Sequence, residues 1–460
     1  VNPTPKTFYV ENLGCAKNQV DAETMIAALQ AQGLERLTAP DRADLIIVNT
    51  CGFLASARAE SIQVLLELSE ACPDASVVPA GCMAERDGEE LLRSMPEVAA
   101  VFGNRAPEEI GRVVRRLGEG ERFLYRPEYR SDGTGSVDSS ACRPRTTLLS
   151  FPGSGYVKIS EGCNHRCAYC AIPLIRGGLR SRSPDEIVDE VRFLLQSGVF
   201  EINLIAQDLA AFGEDAPGRA EGRAVGGSAL TELLRRICGL PGSFWIRLLY
   251  IHPDNFPPGL LDLVASDPRL LPYFDLPFQH ASARILRSMG RTGTEATYLD
   301  LVAKIRDRLP DAVIRSTFLV GFPGERRADF ETLLHFQRRA ALDWVGFFRY
   351  SREEGTPAFR MRGAIGHRLS GRGAERRKHR LEQLQRPISE ERMQRFSGRR
   401  LDVLIEERIR GEELALGRAY LQAPEVDGNV VVHSASAAPG EVLRCRIVGV
   451  NGIDLEGIPE

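Results

Sequence analysis

The chain has no apolar run long enough to span a bilayer, because Arg, Asp or Glu interrupts every candidate stretch. It also lacks a strong charge of either sign. A formal net charge of −3 gives no global footprint of a nucleic-acid binder and leaves only local patches for that role. The opening VNPTPKTFYVENLGC has no basic segment followed by an apolar stretch, so no secretory signal is expected there. Ten cysteines in 460 residues are too few for a disulfide scaffold. A cytoplasmic, reducing setting is therefore expected, in which grouped cysteines bind metal rather than pair. A composition of 43% hydrophobic and 26% charged residues argues against long disorder. The length exceeds one core and implies two to four domains.

What is present is strand–helix alternation. KTFYVENLGC, ADLIIVNTCGF and ASVVPAGCMAE read as strands ending in loops. NQVDAETMIAALQAQG and ARAESIQVLLELSEAC read as helices between them. This predicts a parallel α/β domain over residues 1–126. Residues 127–153, rich in Gly, Ser and Pro and without period, read as a linker. From 154 to 365 the alternation returns with six strands: GYVKIS, EINLIAQD, FWIRLLYI, YFDLPFQ, VIRSTFLVGFP and WVGFFRYS. Six such units predict an open, partial (β/α)6 barrel with its site at the carboxyl ends of the strands. The glycine-rich 213–227 reads as a surface loop. Residues 366–396 read as a basic helical connector with a break near Pro387. The tail, 397–460, reads as a small antiparallel β-barrel.

EGCNHRCAYC, directly after the first barrel strand, carries Cys163, Cys167 and Cys170. Thiolates hold iron–sulfur clusters, and a cubane has four iron corners. Three ligands leave one corner open, as catalytic metal sites keep a position for substrate. A zinc site using the three cysteines and His165 is the plainer alternative, but His165 is too close in the loop to reach the same tetrahedron easily. Cys15, Cys51 and Cys82 form a second trio, each after a predicted strand. In a parallel sheet such loops converge on one edge. Singly each would be a buried core thiol; as a set they read as ligands. Cys72, Cys142, Cys238 and Cys445 have no such setting.

The CxxxCxxC spacing, with Tyr169 before the last cysteine, resembles the radical S-adenosylmethionine superfamily. Two trios and a terminal barrel resemble the methylthiotransferases over essentially the whole chain. NLGCAKNQVDAE, SEGCNHRCAYCAIPLIRGGLRSR, LIAQDLAAFG, DLPFQHASARILRSMGR, RSTFLVGFPGE and APEVDGNVVV are similar to the RimO branch of that family. Ala16 and Ala22 depart from its pattern, as do Leu209, Ala210, Ala211 and Phe212. The resemblance implies an amino-terminal cluster domain, a radical S-adenosylmethionine domain and a TRAM domain. It implies two 4Fe-4S clusters, on Cys15, Cys51 and Cys82 and on Cys163, Cys167 and Cys170, with S-adenosylmethionine on the second. The implied reaction replaces a C–H bond on the β-carbon of an aspartate of small-subunit ribosomal protein twelve by C–S–CH3. No protein side chain is expected to act as a catalyst. Tyr169, Gln207, Gln279, Arg315, Gly321 and Gly324 are the expected cofactor contacts, and Asp21 reads as a helix-start residue. An electron donor such as flavodoxin, a monomeric state and no membrane partner are expected.

The charge of the tail bears on the substrate. From Arg399 to Glu460 there are seven arginines, no lysines and eleven acidic residues, a net of −4. An RNA-binding barrel is expected to be basic; an acidic one suits a basic protein partner. The rivals are a transfer-RNA adenosine methylthiotransferase and a non-catalytic electron carrier or RNA-binding module.

Overall fold

The computed structural model describes residues 5–128, 144–216, 228–361 and 371–460. Most of the expected linker and of the 213–227 loop, the start of the connector, and Cys142 lie outside the described residues. The first domain runs β1 (Thr7–Asn12), α1 (Ala16–Gln30), β2 (Glu35–Arg36), β3 (Leu45–Thr50), α2 (Ala55–Ala71), β4 (Ser76–Ala80), α3 (Gly81–Ser94), β5 (Ala100–Phe102), α4 (Ile110–Leu117) and β6 (Phe123–Tyr125). Its sheet is parallel in the order β2-β1-β3-β4-β5-β6. The central strand LIIVNT is buried at every residue, as a strand covered on both faces must be. Leu45 and Ile47 pack with α1 and α4. Ile46 and Val48 face the other way, onto α2 and α3. The two-residue period of the strand thus sorts one apolar run into two cores.

The second domain contains β7 (Ser154–Lys158), β8 (Ser160–Glu161), α5 (Ile172–Arg176), β9 (Arg180–Ser181), α6 (Pro184–Gln196), β10 (Glu201–Ile205), α7 (Ala229–Cys238), β11 (Trp245–Leu249), α8 (Leu260–Ser266), β12 (Leu270–Asp275), α9 (Ala283–Ser288), α10 (Glu295–Arg308), β13 (Val313–Val320), α11 (Arg327–Ala340), β14 (Trp344–Arg349) and α12 (Pro357–Arg360). The six main strands are parallel in the order β14-β13-β12-β11-β10-β7, and the sheet stays open. Local signals agree with these bounds. Ser183 caps α6 by accepting from Asp185 N, with Pro184 in the first turn.

Helix α13 (Gly371–Gln394) contains Pro387 without a break, contrary to the expected interruption. Proline removes one backbone donor, but the turns around it are pinned from outside. Gln385 Nε2 donates to Leu342 O and Ser389 Oγ to Asp343 O, at 2.8 and 2.7 Å. Its arginines Arg392 and, just beyond, Arg395 pair with Asp343, so this end of the helix packs between domains.

The tail is a closed barrel of β15 (Arg400–Arg408), β16 (Leu414–Arg418), β17 (Val430–His433), β18 (Val442–Asn451) and β19 (Asp454–Pro459). It has one strand more than the four expected, and β17 pairs with β19 in parallel. The segment between β16 and β17 enters the amino-terminal end of the open sheet. There Ala419, Leu421 and Ala423 pack on Tyr156, Trp245, Leu271, Tyr273 and Trp344. Trp344 Nε1 donates to Leu421 O at 2.8 Å, and Tyr273 OH to Asp427 Oδ2 at 2.5 Å. Glu201, wholly buried, takes Arg247 of the sheet and Arg418 of the barrel at 2.8 and 2.6 Å. Among the described residues no helix is long and apolar enough to cross a membrane.

Candidate active site

Cys15 precedes α1, Cys51 follows β3, and Cys82 lies in the first turn of α3 after β4. Strands β1, β3 and β4 are neighbours in the sheet, so their three loops share its carboxyl edge. The approach is close. A Cβ on Gly14 would stand 3.2 Å from Cys51 Cβ, and one on Gly52 only 2.6 Å from the Cys82 carbonyl. Cys15 is exposed, Cys51 half-buried and Cys82 buried. Burial pushes the Cys82 thiol up to about 11, with Arg176 pulling down and Cys15 pushing up.

The second trio lies on the loop after β8. Gly162 starts it at φ +72°, and a Cβ there would meet Gly178 O at 2.0 Å, so only glycine fits. Cys163 N donates to Gly177 O at 3.1 Å, Ala168 N to Met289 O at 2.9 Å, and Cys170 N to Cys167 O at 3.0 Å. Burial raises the thiols of Cys163 and Cys170 to about 11 and 12. A buried neutral thiol is tolerable, and a metal's charge displaces its proton on binding. His165 turns to Asp208 Oδ2 at 2.7 Å and stacks on His252 with centroids 4.4 Å apart. Its ring is thereby engaged away from the thiols.

The chemistry of both donor sets fits a cluster. Each is three thiols on converging backbone, and in a cubane each thiolate takes a separate iron. Among the described residues no three His, Cys, Asp or Glu side chains close on one point as the ligands of a single ion do. Gln207 Oε1 and Ser160 Oγ, at the ends of the strands, are buried without a hydrogen-bond partner among the described residues. A hydroxyl- or amine-bearing cofactor satisfies such atoms.

The other expected contacts are distributed differently. Gln207 Nε2 donates to Glu161 Oε1 at 3.1 Å. Gln279, at φ +66°, is tied by its backbone to Thr317 and Leu319 of β13. The Tyr169 ring packs with Met289, Leu319 and Phe322. Gly324, at φ +84°, offers its carbonyl to Arg284 Nη2 at 2.6 Å. The close neighbour of Gly321 is Ala374 of α13, whose Cβ would lie 2.8 Å from an added one; packing of that helix explains this glycine. Arg315 reaches Asp275 Oδ1 at 3.4 Å and Asp427 Oδ1 at 3.3 Å, so its guanidinium joins the sheet to the terminal barrel. Asp21 is inside α1 and not at its start. It accepts from Lys158 Nζ at 2.5 Å and Arg176 Nη2 at 2.9 Å.

Arg176 is one residue that sequence reasoning missed. It ends the short helix after the second trio and is 1% exposed. Its Nη2 donates to Asn18 Oδ1 at 2.8 Å and to Cys82 Sγ at 3.2 Å, and its Nη1 to Glu161 Oε1 at 3.0 Å. Lys158 Nζ also takes Glu161 Oε2 at 2.5 Å. One buried guanidinium therefore joins the two cysteine loops. Lys17 was missed as well. It is buried, its Nζ lies 3.7 Å above the Tyr250 ring, and burial lowers its pKa. The available signal was in α1, where Lys17, Asn18, Gln19, Asp21 and Glu23 are polar on a helix whose other buried residues are apolar.

Three families match the chain in succession. Uncharacterized protein family UPF0004 matches residues 7–103, the radical SAM superfamily 157–336 and the TRAM domain 398–459. The ribosomal protein uS12 methylthiotransferase RimO of Treponema denticola is 41% identical, over 97% of this chain and 99% of its own length. Its namesake from Carboxydothermus hydrogenoformans is 36% identical over 98% of each chain. That from Sorangium cellulosum is 41% identical, over 97% and 89%. Among solved structures, the radical S-adenosylmethionine methyltransferase TsrM from Kitasatospora setae, with cobalamin and a 4Fe-4S cluster bound, matches at TM-score 0.54. It covers 77% of both chains at 16% identity, a likeness of fold.

Proposed function

The chain belongs to the RimO family of uS12 methylthiotransferases, and from that premise we propose that it places a methylthio group on the β-carbon of an aspartate of ribosomal protein uS12. The observation that carries this reading is the pairing of two cysteine trios through one buried arginine. A sulfur-bearing group and a radical-generating group must act on one carbon, and Arg176 fixes their loops to each other. When bound, a 4Fe-4S cluster on Cys163, Cys167 and Cys170 supplies one-electron cleavage of S-adenosylmethionine, and a second on Cys15, Cys51 and Cys82 supplies sulfur.

The chain's own residues do the holding. Gly162 lets the second loop turn tightly enough to present three thiols. Arg176 and Lys158, shared between Asp21 and Glu161, lock the first domain over the strand ends. Gln207 Oε1 and Ser160 Oγ offer unmet acceptors for S-adenosylmethionine. The terminal barrel fills the opposite end of the open sheet, so water is excluded from below and substrate enters from the cysteine side. Its net charge of −4 suits a basic ribosomal protein. A monomer in the cytoplasm, reduced by a donor such as flavodoxin, belongs to the same proposal.

The test is anaerobic reconstitution with iron and sulfide, incubation with S-adenosylmethionine, dithionite as electron source and either uS12 or bulk transfer RNA, followed by mass spectrometry of both. A methylthio increment on a uS12 aspartate is the expected result. An increment on a transfer-RNA adenosine, with uS12 unchanged, overturns the substrate assignment.

A further inference from the structure

Helix α13 opens GRGAERRKHRLEQLQR, and its charge is one-sided. Over residues 371–386 there are five arginines and one lysine against two glutamates. The buried face carries Ala374, Leu381, Gln385 and Ser389. At about 100° per residue the opposite face presents Arg372, Arg376, Arg380 and Arg386, and all four are exposed. Arg380 is shared with Glu331 of α11 at 3.3 Å. The guanidinium groups of Arg372, Arg376 and Arg386 make no ion pair or hydrogen bond among the described residues. The glutamates stand to the side: Glu375 pairs with Arg349 of β14 and Glu382 with Lys378, at 3.0 and 2.5 Å. Arg338 lies seven residues beyond Glu331, on the same side of α11, and is exposed too.

Other surface helices of this chain are built differently. Arg93, Arg192 and Arg235 each face an acid three residues away on their own helix. Nor does the stripe join domains, a task that Arg392 and Arg395 perform at the far end of α13. The stripe begins at the mouth of the sheet. A Cβ on Gly321 would stand 2.8 Å from Ala374 Cβ, and Arg377 Nη1 lies 2.7 Å from Glu325 Oε1. Gly321 and Glu325 follow β13 at its carboxyl end, the end that carries the cysteine loops. From Arg372 to Arg386 the helix runs about 21 Å, the length of about six phosphates along one nucleic-acid strand. Among the described residues it exposes no large apolar side chain. A specific protein interface has an apolar core, whereas a nucleic-acid interface is polar and strongly positive. Arginine's planar fork also matches phosphate.

We propose that this stripe binds the phosphate backbone of RNA, and that the substrate is therefore uS12 held on the RNA of the small subunit and not the free protein. The inference rests on the function proposed above and deepens it by naming the state of the substrate. Two charged surfaces divide the task. The terminal barrel, at net −4, suits the basic protein, and the helix suits the RNA around it. Transfer RNA presents the same phosphates, and the test separates the two sources.

The experiment uses the full chain with both clusters reconstituted, under anaerobic conditions. One variant carries Arg372→Gln, Arg376→Gln and Arg386→Gln. A second carries Arg93→Gln, Arg192→Gln and Arg235→Gln, with the same change in net charge. Iron content and melting temperature show that each is intact. Binding to a fluorescein-labelled RNA duplex of about 20 base pairs is titrated between about 0.05 and 0.5 M salt. The stripe variant should bind about 10- to 100-fold more weakly at the low end, with the slope of log Kd against log salt shallower by about 2 to 3. The second variant should keep the wild-type slope. Methylthiolation is then followed with dithionite on small subunits, on free uS12 and on bulk transfer RNA. Wild type should show a lower KM for small subunits than for free uS12, and the stripe variant should lose that difference while keeping its kcat. An unchanged salt slope in an intact stripe variant overturns the proposal, as does equal KM for both forms of uS12 in wild type. Modification of transfer RNA alone gives the stripe to that molecule and overturns the substrate state. If the stripe variant binds RNA like wild type and fails only when flavodoxin replaces dithionite, the face belongs to an acidic electron donor and the proposal falls. If wild type modifies uS12 in neither form, the uS12 reading fails and takes the substrate state with it, while the salt slopes still support or sink the RNA-binding face.

Discussion

Arg176 Nη2 stands 3.2 Å from Cys82 Sγ, across 94 residues of sequence. The arginine belongs to the loop of one cysteine trio and the sulfur to the other. The guanidinium also donates to Asp21, Asn18 and Glu161, so the same side chain aligns the two halves and holds Cys82, a proposed cluster ligand. Arg176→Met leaves Asp21 and Glu161 with Lys158 alone. Breaking a buried pair in this way costs about 3 kcal/mol, to be read as a lower midpoint in urea unfolding. Arg176→Lys should recover only part of this, since a point charge cannot reproduce the fork.

The two trios should be separable. Replacing Cys15, Cys51 and Cys82 by alanine is expected to lower bound iron to roughly half of the reconstituted wild-type value, each cubane holding four irons. That protein should still cleave S-adenosylmethionine under a strong reductant and transfer no sulfur. Replacing Cys163, Cys167 and Cys170 should remove the other half and abolish cleavage. Iron assay and product chromatography check both.

Gly162→Ala probes the loop without touching a thiol. The added Cβ would meet backbone oxygen at 2.0 Å and hold φ +72° against its preference. The expected outcome is loss of iron bound through Cys163, Cys167 and Cys170, at a cost to overall stability of ~1–3 kcal/mol. Electron paramagnetic resonance of the reduced protein reads the first effect, and thermal unfolding the second.

Acid should weaken the junction through Glu190. Burial acts to raise its pKa, but Arg182 and Arg145 outweigh that and bring it from 4.5 to about 2. A depressed folded-state value means that the pair contributes fully above the ordinary glutamate range. The contribution is lost as pH falls from about 4.5 toward about 2. Unfolding midpoints of wild type and Glu190→Gln should therefore differ near neutrality and converge over that window.

Much of the fold was legible because its signals are local. The six strands of the middle domain announce themselves as apolar runs, and the cysteine trios stand after strands where a parallel sheet gathers its loops. What was not legible depends on contacts between distant segments. Nothing near Arg315 indicates that its partner is Asp427, so it read as a cofactor contact. Gly321 looked like room for a ligand, and the occupant is Ala374. Pro387 has a helix-breaking chemistry that Gln385 and Ser389 override by bonding to Leu342 and Asp343. Arg176, Lys17 and Asp21 are polar residues in helices, and only the meeting of two domains reveals that they are buried. The strand Asp454–Pro459 was passed over because glycine and proline interrupt a short run.

Removal of the terminal barrel offers a direct optical test of how the middle domain is completed. The chain's two tryptophans, Trp245 and Trp344, both lie on the face that Leu421 and its neighbours cover. A chain ending before Arg399 should show red-shifted tryptophan emission and a broadened unfolding transition, while the first domain keeps its own core.

That coverage sets an order on synthesis. Strand β7 emerges early, and β14 follows long before the segment that seals the same core. Until Leu421 and its neighbours are made, Trp245, Leu271 and Trp344 line an uncovered apolar face on the nascent chain, the kind of surface that attracts chaperones and neighbouring nascent chains. The middle domain is therefore completed only once Leu421 and its neighbours have been made.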